Sequence, residues 1–291
     1  MISWGLVGAA YGIVLAIAAL TQPIRRRHLA FVAALAFTLA AVGAGTLSAT
    51  FWVNLVAPGA LLLCGYWLSG LFFHNPQPWL ETWLVRVDHA VRAERWMYWA
   101  PRPVAELLEL SYAMAYVVVG GGALYAAMFG TEAVSQYWTL VLASELASYA
   151  ALPWLRSRPP RVMESAGPSF SPDNLPGLKP RPAKTAGGDD RIRAKPGSRA
   201  EGPPPAKPPT LRRLNTLILD TASVQANTLP SGHVSGAVAA ALGVMAVDAV
   251  VGSWLMGAAG LIALAAIAGR YHYVVDCVAG AAVALALSSL M

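Results

Sequence analysis

Leu229-Pro230-Ser231-Gly232-His233 and Gly269-Arg270-Tyr271-His272-Tyr273-Val274-Val275-Asp276 are two short polar islands in apolar sequence, and each opens a hydrophobic run. The runs continue to residues 251 and 290, close to the length of about 20 mostly apolar residues that a helix needs to cross a bilayer. Two histidines, an arginine and an aspartate are thereby set at a membrane surface. For the fold this reads as an all-α integral membrane bundle, and for the chemistry as a metal-free phosphoryl-transfer site.

Composition points to the same setting. Of 291 residues, 56% are apolar and 12% charged, with a mean hydropathy of +0.52, far from soluble averages. Candidate spans fall at residues 2–20, 29–47, 51–73, 104–129, 134–155, 233–251, 254–268 and 271–290. The seventh is the shortest and weakest, so the bundle is expected to have six to eight spans. The first run lacks a basic leader and is followed by Arg25-Arg26-Arg27, a stop-transfer flank, so it reads as a retained span rather than a signal peptide. Cys64 and Cys277 lie inside spans without metal-type spacing and read as core packing residues. The net charge of +6 resides in loops that flank spans, without interleaved aromatics, which fits orienting charge and argues against nucleic acid as a partner.

Polar segments divide the chain. Residues 1–74 hold the N-terminal spans. Residues 75–103 carry Trp79, Trp83, Trp96, Tyr98 and Trp99 among Arg86, Asp88, Arg92, Glu94 and Arg95, a mix suited to an amphipathic helix at headgroup level. Residues 104–161 are spans that end in a basic cluster. Residues 162–210 are rich in Pro, Gly, Ser, Lys and Arg, cannot bury enough apolar surface to fold alone, and are expected to be disordered. Residues 211–291 begin with Leu214, Leu217, Ile218 and Leu219, which suit a short surface helix, and then carry the spans that bear the islands.

The islands supply a set of reacting groups. His272 and Asp276 are four residues apart, so on a helix they share a face, and the carboxylate can accept a hydrogen bond from one ring nitrogen while the other stays free to attack. Pro230-Ser231-Gly232-His233 opens a helix, where unpaired N–H groups and the positive dipole end favour an anion. His233 is then placed to protonate a leaving oxygen. Arg270 brings a forked, permanent positive charge suited to the equatorial oxygens of a phosphoryl group. A third island, Pro153-Trp154-Leu155-Arg156-Ser157-Arg158-Pro159-Pro160-Arg161, ends the fifth run. An even number of crossings separates Arg158 from His272, so all three islands belong to one face. No metal or organic cofactor is required by this set.

These residues resemble the type 2 phosphatidic acid phosphatase superfamily, whose signature is Lys-x6-Arg-Pro, then Pro-Ser-Gly-His, then Ser-Arg-x5-His-x3-Asp on a bundle of membrane helices. The middle block matches at Pro230–His233, and the last at His272 and Asp276. Arg270 stands two residues before the histidine, whereas the family's arginine position is Ala266; the first block matches as Arg158-Pro159, with Ala151 at the lysine position. These departures look like the branch with inositol phosphorylceramide synthases and their prokaryotic relatives, in which the last block reads much like Arg270-Tyr271-His272-Tyr273 through Asp276 and Ala279-Gly280. The resemblance is specific over residues 153–161 and 229–280. It implies His272 as nucleophile forming a phosphohistidine, Asp276 as its orienting partner, and His233 as general acid. Arg158, Arg270, Ser231 and Gly232 would bind the phosphate, with Arg156 or Arg161 as substitutes for the missing lysine.

Blander readings exist for each group. A membrane histidine often packs on a backbone carbonyl, an arginine at a span end often orients the chain, and Glu106, Glu109 and Glu145 are carboxylates at or inside spans where charge is expensive. Glu109 and Tyr112 either face the site or make structural hydrogen bonds, while His74 and His89 read as interfacial. The function expected is phosphoryl removal or transfer from a lipid phosphate such as phosphatidate or a polyprenyl phosphate or diphosphate. Water as acceptor makes a phosphatase, and inositol or another lipid alcohol makes a phosphotransferase. The contrasting class is a non-catalytic scaffold whose basic loop binds anionic lipid. The resemblance implies a prokaryotic plasma membrane. Arg25-Arg26-Arg27 favours a cytoplasmic site, although relatives more often work on the outer face.

Overall fold

The computed structural model describes residues 3–24, 26–47, 50–165 and 209–291, and within them the chain is an all-helical bundle. The segment expected to be disordered lies largely outside the described residues. In order, the helices are α1 (Trp4–Thr21), α2 (Arg27–Thr46), α3 (Phe51–Gly70), α4 (Pro78–Ala90), α5 (Trp96–Trp99), α6 (Arg102–Ala127), α7 (Thr131–Ala150), α8 (Pro160–Ser165), α9 (Thr210–Ala222), α10 (Gly232–Met245), α11 (Ala249–Ala268) and α12 (Val274–Leu290). Among them α1, α2, α3, α6 and α11 are long and apolar enough to span a membrane, and α10 and α12 are shorter apolar helices. Each of the eight candidate runs in the sequence corresponds to one of these helices or to α7.

Helix α7 explains its own modest hydropathy. It packs against α1, α3, α6, α10 and α12, so its polar residues lie inside protein rather than in lipid. Ser144, Glu145, Ser148, Tyr137, Trp138 and Tyr149 are all buried there. Ser148 Oγ stands 3.1 Å from Ser235 Oγ, and Ser235 Oγ also donates to the Ser144 carbonyl at 3.3 Å. The facing helix α10 is built from small residues, with Ser235, Gly236, Ala237, Ala239, Ala240 and Ala241 buried. Small side chains let two backbones approach closely, which is how helices associate when lipid competes for every apolar contact. Outward, Leu6, Ile17, Leu39, Trp52, Leu124 and Trp254 are exposed on the faces that a bilayer would cover.

Two expectations need correction. The seventh run is not weak: α11 is a full 20-residue helix, because the chain turns earlier than its hydropathy suggests. Asp248 caps the helix, its Oδ1 accepting from Val250 N at 2.9 Å and Val251 N at 3.0 Å, while Tyr125 Oη donates to Oδ2 at 2.7 Å. A carboxylate that satisfies first-turn N–H groups marks a helix start. Cys64 is exposed, not a core packing residue, whereas Cys277 is buried.

The segment between α3 and α6 does more than lie on a surface. Helix α4 turns Leu80, Glu81, Leu84 and Asp88 inward, and the two leucines pack with Leu229 and Tyr273. Trp79 and Trp83 face outward. The Gln77 N–H donates to the Arg156 carbonyl at 2.8 Å, which ties the start of α4 to the loop after α7.

Candidate active site

All three polar islands meet at one end of the bundle. The Arg161 N–H donates to the Arg270 carbonyl at 3.0 Å, Tyr273 Oη donates to the Arg158 carbonyl at 3.1 Å, and the Ser231 N–H donates to the Asp276 carbonyl at 2.9 Å. Residues 157 and 227 add an isolated antiparallel bridge. Backbone hydrogen bonds between loops are the reason three segments distant in sequence hold one fixed arrangement.

His233 sits in the first turn of α10, whose N-cap is Ser231. Ser231 is fully buried and its Oγ accepts from Val234 N at 3.4 Å, so the hydroxyl expected to bind phosphate serves the helix start in this structure. Gly232 is required by packing, since a Cβ there would collide with the Tyr149 ring. Gly280 has the same role beneath the loop: its Cβ would lie 2.5 Å from the Ser231 carbonyl oxygen.

His272 and Asp276 do not share a helical face. Helix α12 begins only at Val274, and Asp276 folds back to accept from Tyr273 N at 2.9 Å as part of a capping box. The pair still approaches, with His272 Nδ1 at 3.5 Å from Asp276 Oδ2. A nearer partner is Asn227, whose Oδ1 stands 3.1 Å from Nδ1. Both neighbours of Nδ1 are acceptors in the assigned amide orientation, so Nδ1 carries the proton and Nε2 keeps its lone pair. Burial, with help from the Arg161 charge, pushes the His272 imidazole down to about 3, so the ring is neutral.

The two histidine rings lie 5.7 Å apart between centroids. His233 stacks on Tyr112 at 5.2 Å, Tyr112 stacks on Tyr271 at 3.9 Å, and His233 Nε2 is 3.2 Å from Tyr116 Oη. Tyr271 is fixed in turn by Glu109, which accepts from its hydroxyl at 2.5 Å and also holds Arg212 and Asn215 of α9. Tyr112 thus belongs to the site's wall, whereas Glu109 stands behind Tyr271 and ties α9 to α6.

The arginines divide into three kinds. Arg161 lines a small pocket together with His233, His272, Tyr112, Tyr149 and Thr228, and its guanidinium lies over the Tyr271 ring at 5.6 Å. Arg158 and Arg270 are close by but carry carboxylate partners. Glu81 grips Arg158 through Nε at 2.9 Å and Nη2 at 2.8 Å; Asp88 meets Arg270 Nη1 at 2.6 Å and Glu164 meets its Nε at 2.8 Å. The Glu81 hydrogen bond holds Arg158 above its usual range, and on Arg270 the Glu164 and Asp88 charges outweigh a burial that acts the other way. Arg156 turns away, its Nη1 donating to the Pro153 carbonyl at 2.5 Å and reaching Gln22 at 3.5 Å.

Sequence reasoning missed Asn227, Glu81, Asp88, Tyr116 and Tyr149. Glu81 and Asp88 carried a signal, because they are seven residues apart on the Leu80–Leu84 face of an amphipathic helix, where an unpaired carboxylate would be costly. Asn227 had none.

Below the pocket, an apolar cavity of about 440 Å³ runs between α3 and α6 against α7, and His233 lines both spaces. Among the described residues, no group of three or more His, Cys, Asp or Glu side chains gathers as a metal site would. A family model described as the PAP2 superfamily matches residues 132–291, from the start of α7 through both histidines. No curated protein and no solved structure gives a significant match.

Proposed function

The chain belongs to the PAP2 superfamily, whose members are phosphatases and phosphotransferases of phosphate esters, and from that premise we propose that it acts on a lipid phosphate through a phosphohistidine on His272. The observation that carries this reading is the pair of histidine rings 5.7 Å apart beside Arg161, in a pocket whose His233 wall continues into an apolar cavity. A phosphate seated there would have an attacking nitrogen on one side and a proton donor on the other.

His272 Nε2 attacks phosphorus, with Nδ1–H held by Asn227 and Asp276 so that the charge developing on the ring is stabilised. The P–O bond to the lipid breaks, and His233, which takes up a proton when the phosphate anion is seated beside it, gives that proton to the leaving oxygen. The Tyr116 hydroxyl, 3.2 Å from His233 Nε2, marks a distance at which an alcohol oxygen would exchange that proton. Water, activated by the now neutral His233, then attacks the phosphohistidine and releases inorganic phosphate. An alcohol such as inositol in place of water would make a phospholipid, as in the inositol phosphorylceramide synthase branch that the last block resembles. Arg161 stabilises the equatorial oxygens directly; Arg158 and Arg270 add charge from behind their carboxylate partners, and the Gly232 backbone lines the phosphate. The reading places the site at the cytoplasmic face of a plasma membrane, supported by the Arg25-Arg26-Arg27 turn.

The test is phosphate release from phosphatidate and from polyprenyl phosphates and diphosphates by purified protein, with and without inositol, beside His272→Ala. Release lost with the substitution supports hydrolysis. A new phospholipid that depends on His272 moves the assignment to transfer, and equal release from both proteins contradicts the reading.

A further inference from the structure

Helix α4 has two chemically opposite faces. Inward, Glu81 and Asp88 are buried and ion-paired with Arg158 and Arg270. They are the only acidic residues of this helix, so its negative charge is neutralised inside the protein. Outward, Trp79 is 63% and Trp83 44% exposed, and Arg86 is exposed three residues further along. Spacings of four and three put these side chains on one stripe. The chain then turns at Arg92, which is exposed and left-handed at φ 54°, and the fully buried Ala93 holds that turn to the core.

The height of α4 can be read from α12. Asp88 Oδ1 accepts from the N–H of Val274, the first residue of α12. One turn further on, about 6 Å along the helix, Val278 is 64% exposed on the apolar surface that a bilayer would cover. Helix α4 therefore lies where the apolar surface of the bundle begins, which is headgroup level. Tryptophan suits that level, with its ring in the acyl boundary and its N–H toward water, and an arginine beside it meets phosphates. Because both carboxylates face inward, the outward field of α4 is positive, which fits an anionic headgroup better than a zwitterionic one. The helix precedes the matched residues 132–291, so this surface belongs to the N-terminal part of the chain and not to the matched region.

We propose that the outer face of α4 and the Arg92 turn form a docking surface for anionic phospholipid headgroups, and that lipid seated there steadies the two loops that carry Arg158 and Arg270. The route is short. Glu81 accepts from the Arg158 backbone N–H at 3.0 Å as well as from its guanidinium. Asp88 holds Arg270 and the first turn of α12. Both carboxylates stand on the helix whose opposite face the lipid binds. A helix pinned from outside presents its inner face in one place, so anionic lipid acts on the histidine pocket without touching it. This goes beyond the phosphohistidine reading and does not depend on it.

The test uses the full chain in nanodiscs, one copy per disc, made of phosphatidylcholine alone or with about a third of phosphatidylglycerol. Wild-type Tm is expected to rise in the anionic discs, by about 2 °C or more for each arginine engaged, and high salt should erase the rise. Arg86→Gln combined with Arg92→Gln should remove most of it. Arg26→Gln combined with Arg213→Gln, which takes two exposed charges from outside α4, should leave it intact. Amide hydrogen exchange in residues 156–161 and 270–276 should slow in anionic discs for wild type and for this control, but not for the α4 variant. An equal Tm in both lipids, a rise that survives the loss of Arg86 and Arg92, or loop exchange that ignores lipid charge overturns the proposal. So does a rise that needs two copies per disc, which assigns the face to a second chain. Neither readout needs turnover, so failure of the proposed reaction, seen as phosphate release unchanged in His272→Ala, is a separate result.

Discussion

Arg270 and Asp88 are 182 positions apart in the chain, yet Nη1 and Oδ2 meet at 2.6 Å with both side chains almost out of solvent. Asp88 also accepts from Val274 N at 3.0 Å through its other oxygen, so one carboxylate holds an arginine of the last island and the first turn of α12. The loop that presents His272 is therefore anchored by α4, a helix outside the region matched by the family model. Removing one partner of a buried ion pair leaves the other charge uncompensated, at a cost of about 3–5 kcal/mol. Asp88→Asn is expected to lower Tm in detergent strongly. In a double-mutant cycle with Arg270→Gln the two losses should be clearly non-additive, and simple additivity would contradict the anchor.

Arg161 and Arg156 lie five residues apart and are placed in opposite ways. Arg161 lines the histidine pocket, whereas Arg156 is directed to the Pro153 carbonyl. Removing a charge that stabilises the transferring phosphoryl group costs on the order of 10²-fold in kcat. Arg161→Ala is expected to show that loss with a lipid phosphate, and Arg156→Ala to stay within a few-fold of wild type. The reverse order would assign the clamp to Arg156.

Acid should destabilise the site through His272. Its imidazole is pushed down to about 3 in the folded protein, against 6.5 for the ordinary group. Between these values the unfolded chain binds a proton that the native site refuses, so stability falls as pH falls through that window. The ceiling on this effect is a few kcal/mol. Melting curves from pH 7.5 to pH 4 for wild type and His272→Asn test it. The variant should gain on wild type as pH drops, and a constant difference across the range would contradict a neutral buried imidazole.

Gly280 is predicted to matter for the loop more than for its helix. A methyl group there would press on the Ser231 carbonyl at 2.5 Å and push α12 away from the Pro-Ser-Gly-His turn. Overpacking of this kind costs about 1–3 kcal/mol. Gly280→Ala should lower Tm and reduce kcat together, while Gly257→Ala, where a Cβ meets nothing within 4 Å, should change neither.

The spans and the two histidines could be read from the chain because hydropathy and short motifs are local properties. The end of α10 could not be read from hydropathy alone: Asp248 interrupts an apolar run, and only its role as N-cap turns the chain there. Local spacing also misled on His272 and Asp276, since four residues imply a helical pair, whereas the histidine lies before α12 and takes Asn227 as its nearer partner. Glu81 and Asp88 were visible as charges on an amphipathic segment. Their partners were not, because an ion pair that joins α4 to loops far along the chain is a consequence of the bundle's closure and leaves no periodic trace.

The measurement that reaches the central claim is trapping of the covalent intermediate. Brief mixing of purified protein with a ³²P-labelled lipid phosphate, in chelator, followed by alkaline quench and denaturing gel, should leave acid-labile, base-stable label on wild type and on His233→Ala but none on His272→Ala. Label that persists on His272→Ala, or that appears only when magnesium is restored, would contradict a phosphohistidine at His272.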